Sequence, residues 1–403
     1  MKRIYYAAII EHMRENRQML FLMGPRQVGK TTTCHSLKNE FKYCSYFSWD
    51  DLEDREIILA GPKAIAVDAG LESLLDSKPV IVFDEIHKYS GWKDFLKGFY
   101  DSYSNLAHIL VTGSARLDVY KKGGDSLMGH YFLYRFHPLS VAEIVDPTFP
   151  STELRSNPIA ISDTQFDALW EFGGYPDPFL KADKRFFNRW SNLRLQQLFQ
   201  EDIRDLTRIQ ELKQLEVLAN LLKLQAGRQT SYESLAKKVR VTGHTIRNWT
   251  ETLRSLYYCF EIRPWSNNIA RALIKEPKYY LWDWAQVEDL GARAENFVAS
   301  HLLKAVHFWT DSGFGRYDLH YIRDKDQREV DFLVTRNEKP WFLVEVKISD
   351  NKAVSPALSY FQQATGAKHA FQVVIDLPWV NQNCFKEMRP IIVPARTFLS
   401  QLV

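Results

Sequence analysis

The feature that most restricts what this chain can become is an octapeptide near its start. Gly24-Pro25-Arg26-Gln27-Val28-Gly29-Lys30-Thr31 lies between the apolar run Met19 to Met23 and a stretch of helical character from Thr32 to Phe41. Glycine accepts positive φ and carries no Cβ, so two glycines at this spacing let a backbone close around an anion. Strand, loop and helix in that order aim backbone N–H groups and the positive end of the helix dipole at one point. In this reading the backbone from Gly24 to Thr32 cradles a polyphosphate. Lys30 reaches the β- and γ-phosphates, Thr31 ligates Mg²⁺, and the expected ligand is ATP.

Two further apolar runs end in polar residues of the right kind. Val80 to Phe83 is followed by Asp84 and Glu85. Asp84 stands where a Mg²⁺-binding carboxylate belongs, at the carboxyl end of a parallel strand, and Glu85 would polarise the attacking water. Ile109 to Thr112 leads into Gly113-Ser114, where Thr112 or Ser114 would sense the γ-phosphate; a plain turn explains the segment equally well. Arg116 and Arg135 are candidates for a charge that stabilises the transition state, against the commoner outcome of an exposed surface arginine.

Around these motifs short apolar segments alternate with helical ones up to about Val145, which predicts an α/β fold with a parallel sheet covered on both faces. A chain of 403 residues allows two or three domains. Prolines and serines from Asp146 to Pro158 mark a break, and helical character dominates from Asp163 to about Gly227. The expected division is a nucleotide-binding domain at 1–145, a helical connector at 146–210, a helix-turn-helix region at 211–277 and a second α/β domain at 278–403. A net charge of +3 permits nucleic-acid binding without arguing for it, so any basic surface must be local. The four cysteines are scattered and form no Cys-x-x-Cys pair, which fits a reducing compartment and no zinc site. The apolar run Ile4 to Ile10 is too short to span a bilayer and reads as a first amphipathic helix. The expectation is a cytoplasmic protein with no membrane partner.

The segments GPRQVGKTT, VIVFDEIHK, VTGSAR and PLSVAE together resemble a widespread group of bacterial and archaeal AAA-type P-loop ATPases that carry an additional C-terminal domain. The resemblance extends over nearly the whole chain. It implies ATP binding and hydrolysis at the P-loop. Members usually have Gly-Arg before the PLS segment, where this sequence has Gly129-His130.

In the middle region, Thr230 to Ala236 reads as a capped short helix, Val241 to Trp249 as a turn leading into a second helix, and Tyr257 to Pro264 as a strand. That order suggests a winged helix, and similar family members share it. Lys237, Lys238, Arg240, His244 and Arg247 cluster at the turn and the second helix. They serve either phosphate contacts to DNA or an ordinary solvated face.

The last region holds a second constellation. Arg328 to Val334 alternates polar and apolar residues, and Trp341 to Ile348 forms another apolar strand in which Glu345 and Lys347 share a face. Paired as a hairpin, these strands bring Asp331 near Glu345. Two carboxylates would hold Mg²⁺, and Lys347 would orient or deprotonate a water. Glu295 could add a third carboxylate and Gln362 a contact to the same water. The order resembles the PD-(D/E)xK nuclease superfamily, which implies metal-dependent cleavage of phosphodiesters with Asp331, Glu345 and Lys347 as catalytic residues. The alternative is a surface hairpin with an ordinary Glu345–Lys347 ion pair. Two outputs therefore stay open, an ATP-regulated DNA-processing enzyme and an ATP-driven switch or scaffold whose C-terminal domain binds DNA or a protein partner without cutting. A transcriptional regulator using the winged helix is a third, and homo-oligomers are compatible with each.

Overall fold

The computed structural model describes residues 1–114, 127–203, 209, 211–266, 276–349 and 353–403. The chain divides into two compact units, one of residues 1–137 with 147–149 and one of 138–146 with 150–403.

The first unit is built on five strands, β1 (Met19–Met23), β2 (Cys44–Ser48), β3 (Val80–Asp84), β4 (His108–Gly113) and β5 (Tyr131–Arg135). They lie in the order β2-β3-β4-β1-β5, and every neighbouring pair is parallel. This is a P-loop NTPase fold. All residues of β1 and β3 are buried, as a sheet covered on both faces requires. Helices α1 (Ile4–Glu15), α2 (Lys30–Ser36), α3 (Leu52–Ala60), α4 (Pro62–Asp68) and α5 (Trp92–Tyr103) belong to this unit. Phe21 of β1, Phe83 of β3 and Phe95 and Phe99 of α5 share one core. Because the strands are parallel, their carboxyl ends meet at one edge of the sheet, where ligands bind in folds of this type.

Between β2 and β3 the helical stretch is divided into α3 and α4, separated by Gly61 at φ +99° and restarted by Pro62 at the first helical position. Strand β5 gave no signal, because an edge strand has one neighbour and its YFLYR sequence is only partly buried.

The second unit begins with helices α6 (Val141–Val145), α7 (Asp163–Phe172), α8 (Pro176–Lys181), α9 (Lys184–Gln197), α10 (Leu212–Leu224), α11 (Tyr232–Val239) and α12 (Gly243–Ser255). Ser231 caps α11 and Thr242 caps α12 through their side chains. Leu218, Leu235, Ile246 and Leu253 bury the apolar faces of these last three helices together. A seven-stranded sheet follows, made of β6 (Cys259–Pro264), β7 (Lys278–Leu281), β8 (Tyr317–Arg323), β9 (Glu329–Arg336), β10 (Lys339–Lys347), β11 (His369–Val374) and β12 (Ile391–Pro394). Its order is β12-β11-β10-β9-β8-β6-β7. Helices α13 (Leu290–Asp311), α14 (Pro356–Thr365) and α15 (Ala395–Ser400) complete the unit. Among the described residues no helix is long and apolar enough to cross a membrane.

Packing in the second unit crosses the stretches around 145 and 277. The PLSVAE segment, Pro138 to Glu143, belongs to the second unit. Its Glu143 forms a fully buried ion pair with Lys304 of α13 at 2.5 Å, and the same ammonium reaches Ser140 Oγ at 2.9 Å and the Pro138 carbonyl at 3.2 Å. His301, one helical turn earlier, accepts the Val141 N–H. Breaking such a network would strand a buried charge, so the segment stays with its partners. Across 277 the sheet is continuous, because β6 pairs with β7 on one side and with β8 on the other. The strand expected as a free wing is thus an interior strand of the larger sheet.

The same packing explains Gly173-Gly174 and Asp283. A Cβ at Gly173 would meet Asp283 Oδ1 at 2.7 Å, and one at Gly174 would meet the Trp284 ring at 2.6 Å. Asp283 is buried beside Arg194, 3.7 Å away.

Candidate nucleotide site and a second acidic cluster

At the carboxyl edge of the first sheet the chain turns from β1 into α2 through the glycine loop. Gln27 and Gly29 adopt positive φ, +63° and +95°, and Gly24 has no room for a side chain, since a Cβ would sit 2.1 Å from the Phe136 carbonyl oxygen. Lys30 folds back over the loop and donates to the Gly24 and Pro25 carbonyls at 2.8 and 2.7 Å. Burial pushes its pKa down to about 8, against the opposing pull of Glu85 and Asp84.

Thr31 opens α2 and donates from its hydroxyl to Asp84 Oδ2 at 3.3 Å. Asp84 ends β3, and it also accepts from the Thr112 and Tyr46 hydroxyls. Three hydroxyls thus hold a buried carboxylate in one orientation, and burial, then the Asp84 charge, raises the Tyr46 pKa. Glu85, one residue on, takes a left-handed backbone at φ +54°. Its Oε2 accepts from Ser114 Oγ at 2.8 Å and lies 3.8 Å from both His87 Nε2 and Lys88 Nζ. Lys30, Thr31, Asp84, Glu85 and Ser114 are therefore assembled at one edge, while Thr32 is exposed on α2. A hydroxyl and a carboxylate are hard oxygen donors, so Thr31 and Asp84 fit a Mg²⁺ ion.

Sequence reasoning missed Tyr46 and His87. Nothing local marks Tyr46. The Asp-Glu-x-His run could have drawn attention to His87, whose buried ring nitrogens have no hydrogen-bond partner and whose pKa burial lowers. Arg116 lies outside the described residues. Arg135 is in register with Met23, beside the loop. His130 precedes β5 and therefore lies at the opposite edge of the sheet from the phosphate loop, so an arginine at that position could not reach this loop.

In the second unit β9 and β10 pair antiparallel with Leu333 opposite Leu343 and Phe332 opposite Val344, a register that sets Asp331 abreast of Glu345. Between His320 and Ile322 of β8 the register shifts, so β9 carries one extra residue at Asp331-Phe332. Such a bulge re-aims side chains, and here the Asp331 carboxylate accepts the Val346 N–H at 2.8 Å. Burial, then the charges of Glu295 and Glu345, push the Asp331 pKa well up. Glu345 pairs with Lys347 at 2.8 Å through Oε1, while its buried Oε2 has no partner. Burial opposes the Lys347 charge, but the bond to Glu345 prevails and raises its pKa.

Glu295 accepts from the Tyr280 hydroxyl at 2.6 Å and from Lys278 at 3.0 Å, both at Oε1, and it stands close enough to Asp331 that, after burial, its charge raises that carboxyl's pKa. Gln362 donates to the Met388 carbonyl at 2.8 Å, on α14, and takes no part in the cluster. Gln372 is in register with Glu345 on the adjacent strand, and its amide is held by the Ser355 N–H and the Ala353 carbonyl. Among the described residues no three His, Cys, Asp or Glu side chains are placed to enclose a metal ion.

Comparison with known proteins matches three successive stretches of the chain. Residues 16–145 match a family described as an AAA domain. Residues 163–291 and 290–390 match two families described as Domain of unknown function (DUF8612) and Domain of unknown function (DUF4143). An uncharacterised protein of Mycobacterium tuberculosis is 22% identical over 367 residues, covering 87% of this chain and 75% of that protein. One from Methanocaldococcus jannaschii is 24% identical over 338 residues, covering 79% of this chain and 72% of its own length. Among solved structures, the Thermotoga maritima RuvB Holliday junction branch migration motor is 16% identical with a TM-score of 0.31, covering 64% of this chain and 86% of that one. Drosophila ORC bound to AT-rich DNA and Cdc6 is 9% identical with a TM-score of 0.25, covering 69% and 86%.

Proposed function

We propose that this chain is a Mg²⁺-dependent ATPase. The observation that carries the reading is the meeting of Thr31 with Asp84, side chains 53 positions apart, beside a glycine loop closed by Lys30. The backbone from Gly24 to Thr32 binds the phosphates, and Lys30 supplies the cation. Thr31 and Asp84 hold Mg²⁺, which when bound neutralises charge on the phosphate oxygens. Glu85 orients and polarises the attacking water, held in place by Ser114. The test is Glu85→Gln, which keeps the shape but removes the base. It is expected to bind ATP normally and to hydrolyse it roughly 10²–10³-fold more slowly. Wild-type turnover in this variant would remove Glu85 from the chemistry.

One observation favours a second activity. Glu345 Oε2 is a buried acceptor without a donor, next to an Asp331 whose pKa burial and two other carboxylates raise. A divalent cation resting on Asp331 and Glu345, its shell completed by water, would satisfy both. In this reading Lys347 orients the water that attacks a phosphodiester, and the exposed Lys237, Lys238, Arg240, His244 and Arg247 hold a DNA backbone. Wild type and Asp331→Ala are to be incubated with single- and double-stranded DNA, with and without ATP and Mn²⁺ or Mg²⁺. Metal-dependent cutting lost in the variant supports the reading. No cutting by either protein, with ATP-dependent assembly intact, leaves an ATP-driven switch or scaffold.

A further inference from the structure

The residue that the nucleotide reading leaves unused is Arg3. It caps α1, is 5% exposed, and lies over the Phe136 ring at 4.7 Å. One of its guanidinium nitrogens donates to the Val28 carbonyl inside the glycine loop, the other to the His137 carbonyl at 2.6 Å. Burying a guanidinium is costly unless its donors are well used. Here they grip two backbone segments that flank the loop.

Each segment bears on the phosphate site. The Val28–Gly29 peptide is trans, so its carbonyl and its N–H point to opposite sides of the chain. Holding the carbonyl against Arg3 turns the Gly29 N–H away from Arg3. The other contact steadies the strand that continues from β5. Phe136 donates its N–H to the Met23 carbonyl at 2.7 Å, and its own oxygen fills the space where Gly24 would need a Cβ. Tyr5, two residues after Arg3, donates to the Arg135 carbonyl at 2.8 Å and accepts the His137 N–H at 3.0 Å. The start and the end of the loop are therefore fastened to one element, the first turn of α1.

We infer that Arg3 is a positioning residue for phosphate binding: its grip on the Val28 carbonyl aims the Gly29 N–H at the β-phosphate of the bound nucleotide. The inference rests on the nucleotide reading above. It separates diphosphate from monophosphate ligands, because a monophosphate has no β-phosphate for that N–H to meet.

The test uses the full chain with Mg²⁺ and measures the affinities of ADP and AMP by competition against a fluorescent ADP. Arg3→Met is expected to weaken ADP roughly tenfold while AMP stays within about twofold. Arg3→Lys, which keeps the charge but not the two-pronged reach, is expected to fall between it and wild type. Wild-type ADP affinity in Arg3→Met overturns the inference, as does equal loss of ADP and AMP, the signature of general disruption. Should Arg3→Met fail to fold, Arg3→Lys decides, and wild-type ADP affinity there overturns the inference equally. Lys30→Ala separates the two claims. If it binds ADP like wild type, the phosphate site itself is elsewhere; if it loses ADP while Arg3→Met does not, the error lies with Arg3 alone.

Discussion

Lys30 and Lys278 are both buried lysines beside carboxylates, yet their surroundings push them in opposite directions. Around Lys30 burial wins and the pKa falls to about 8, with two carbonyl oxygens as its hydrogen-bond partners. Around Lys278 burial also disfavours the charge, but Glu295, Asp331 and Glu329 together overcome it and the pKa rises. Glu329 and Glu295 sit 2.7 and 3.0 Å from its ammonium. A cation held at a desolvation cost without a contacting counter-ion is poised to gain from an arriving anion. One already bracketed by carboxylates is committed to the fold. The contrast separates a ligand-seeking lysine from a structural one, a distinction that burial alone does not make.

The sharpest way to break this contrast is to remove each charge. Lys30→Ala should lower ATP turnover by roughly 10²–10³-fold or more while leaving the fold intact, as read by steady-state hydrolysis and thermal unfolding. Lys278→Met should do the reverse. ATP turnover should persist, but the second unit should lose about 3–5 kcal/mol in a denaturant titration, because Glu295, Glu329 and Asp331 are left facing one another. Equal effects of the two substitutions on turnover would erase the distinction.

A smaller effect tests the state of Lys30 directly. Bound phosphate restores the ammonium, so the nucleotide complex has the higher lysine pKa and takes up a proton wherever the free protein has lost one. Affinity is then flat below the free-state pKa of about 8 and falls above it. Between pH 8 and pH 9 the ADP affinity should drop by about fivefold, because about half of the lysine is already neutral at pH 8. Lys30→Arg, charged throughout, should lose that dependence even if it binds less well. Isothermal titration at the two pH values reads both outcomes.

The same comparison shows which parts of the molecule a sequence can disclose. Lys30, Thr31, Asp84 and Glu85 were legible because loop chemistry fixes the spacing of the first two and because both pairs follow a buried apolar strand, where alternation with helices implies a parallel sheet. The pairing of Asp331 with Glu345 was legible for a related reason, since a hairpin register follows from two adjacent strands. Lys278, Tyr280 and Arg3 were not. Their roles arise from segments that meet only in the folded chain, and an aromatic run such as Tyr279-Tyr280-Leu281-Trp282 announces burial without naming its partner. The packing across 145 and 277 was illegible for the converse reason. Composition changes at both positions, but a buried ion pair at Glu143 and a strand shared by two neighbours at β6 carry the packing across them.

The smallest effect concerns Asp331, and it asks whether the second cluster is closer in kind to Lys30 or to Lys278. Its pKa in the fold lies well above that of an unfolded aspartate. A carboxyl raised in this way contributes stability below the unfolded pKa, and loses that contribution as pH rises toward and through the folded value. Asp331→Asn mimics the neutral form at every pH. It should therefore equal wild type in acid and exceed it by about 1 kcal/mol or more as pH climbs past the ordinary aspartate range. Divalent metal supplies the discriminating arm. If the cluster seeks a cation as Lys30 seeks an anion, Mn²⁺ should raise the unfolding temperature of the wild-type protein and leave Asp331→Asn unmoved, because ligand binding to the folded state stabilises it by mass action. An equal response of the two proteins to Mn²⁺ would place Asp331 with Lys278, as part of a charge network that serves the fold.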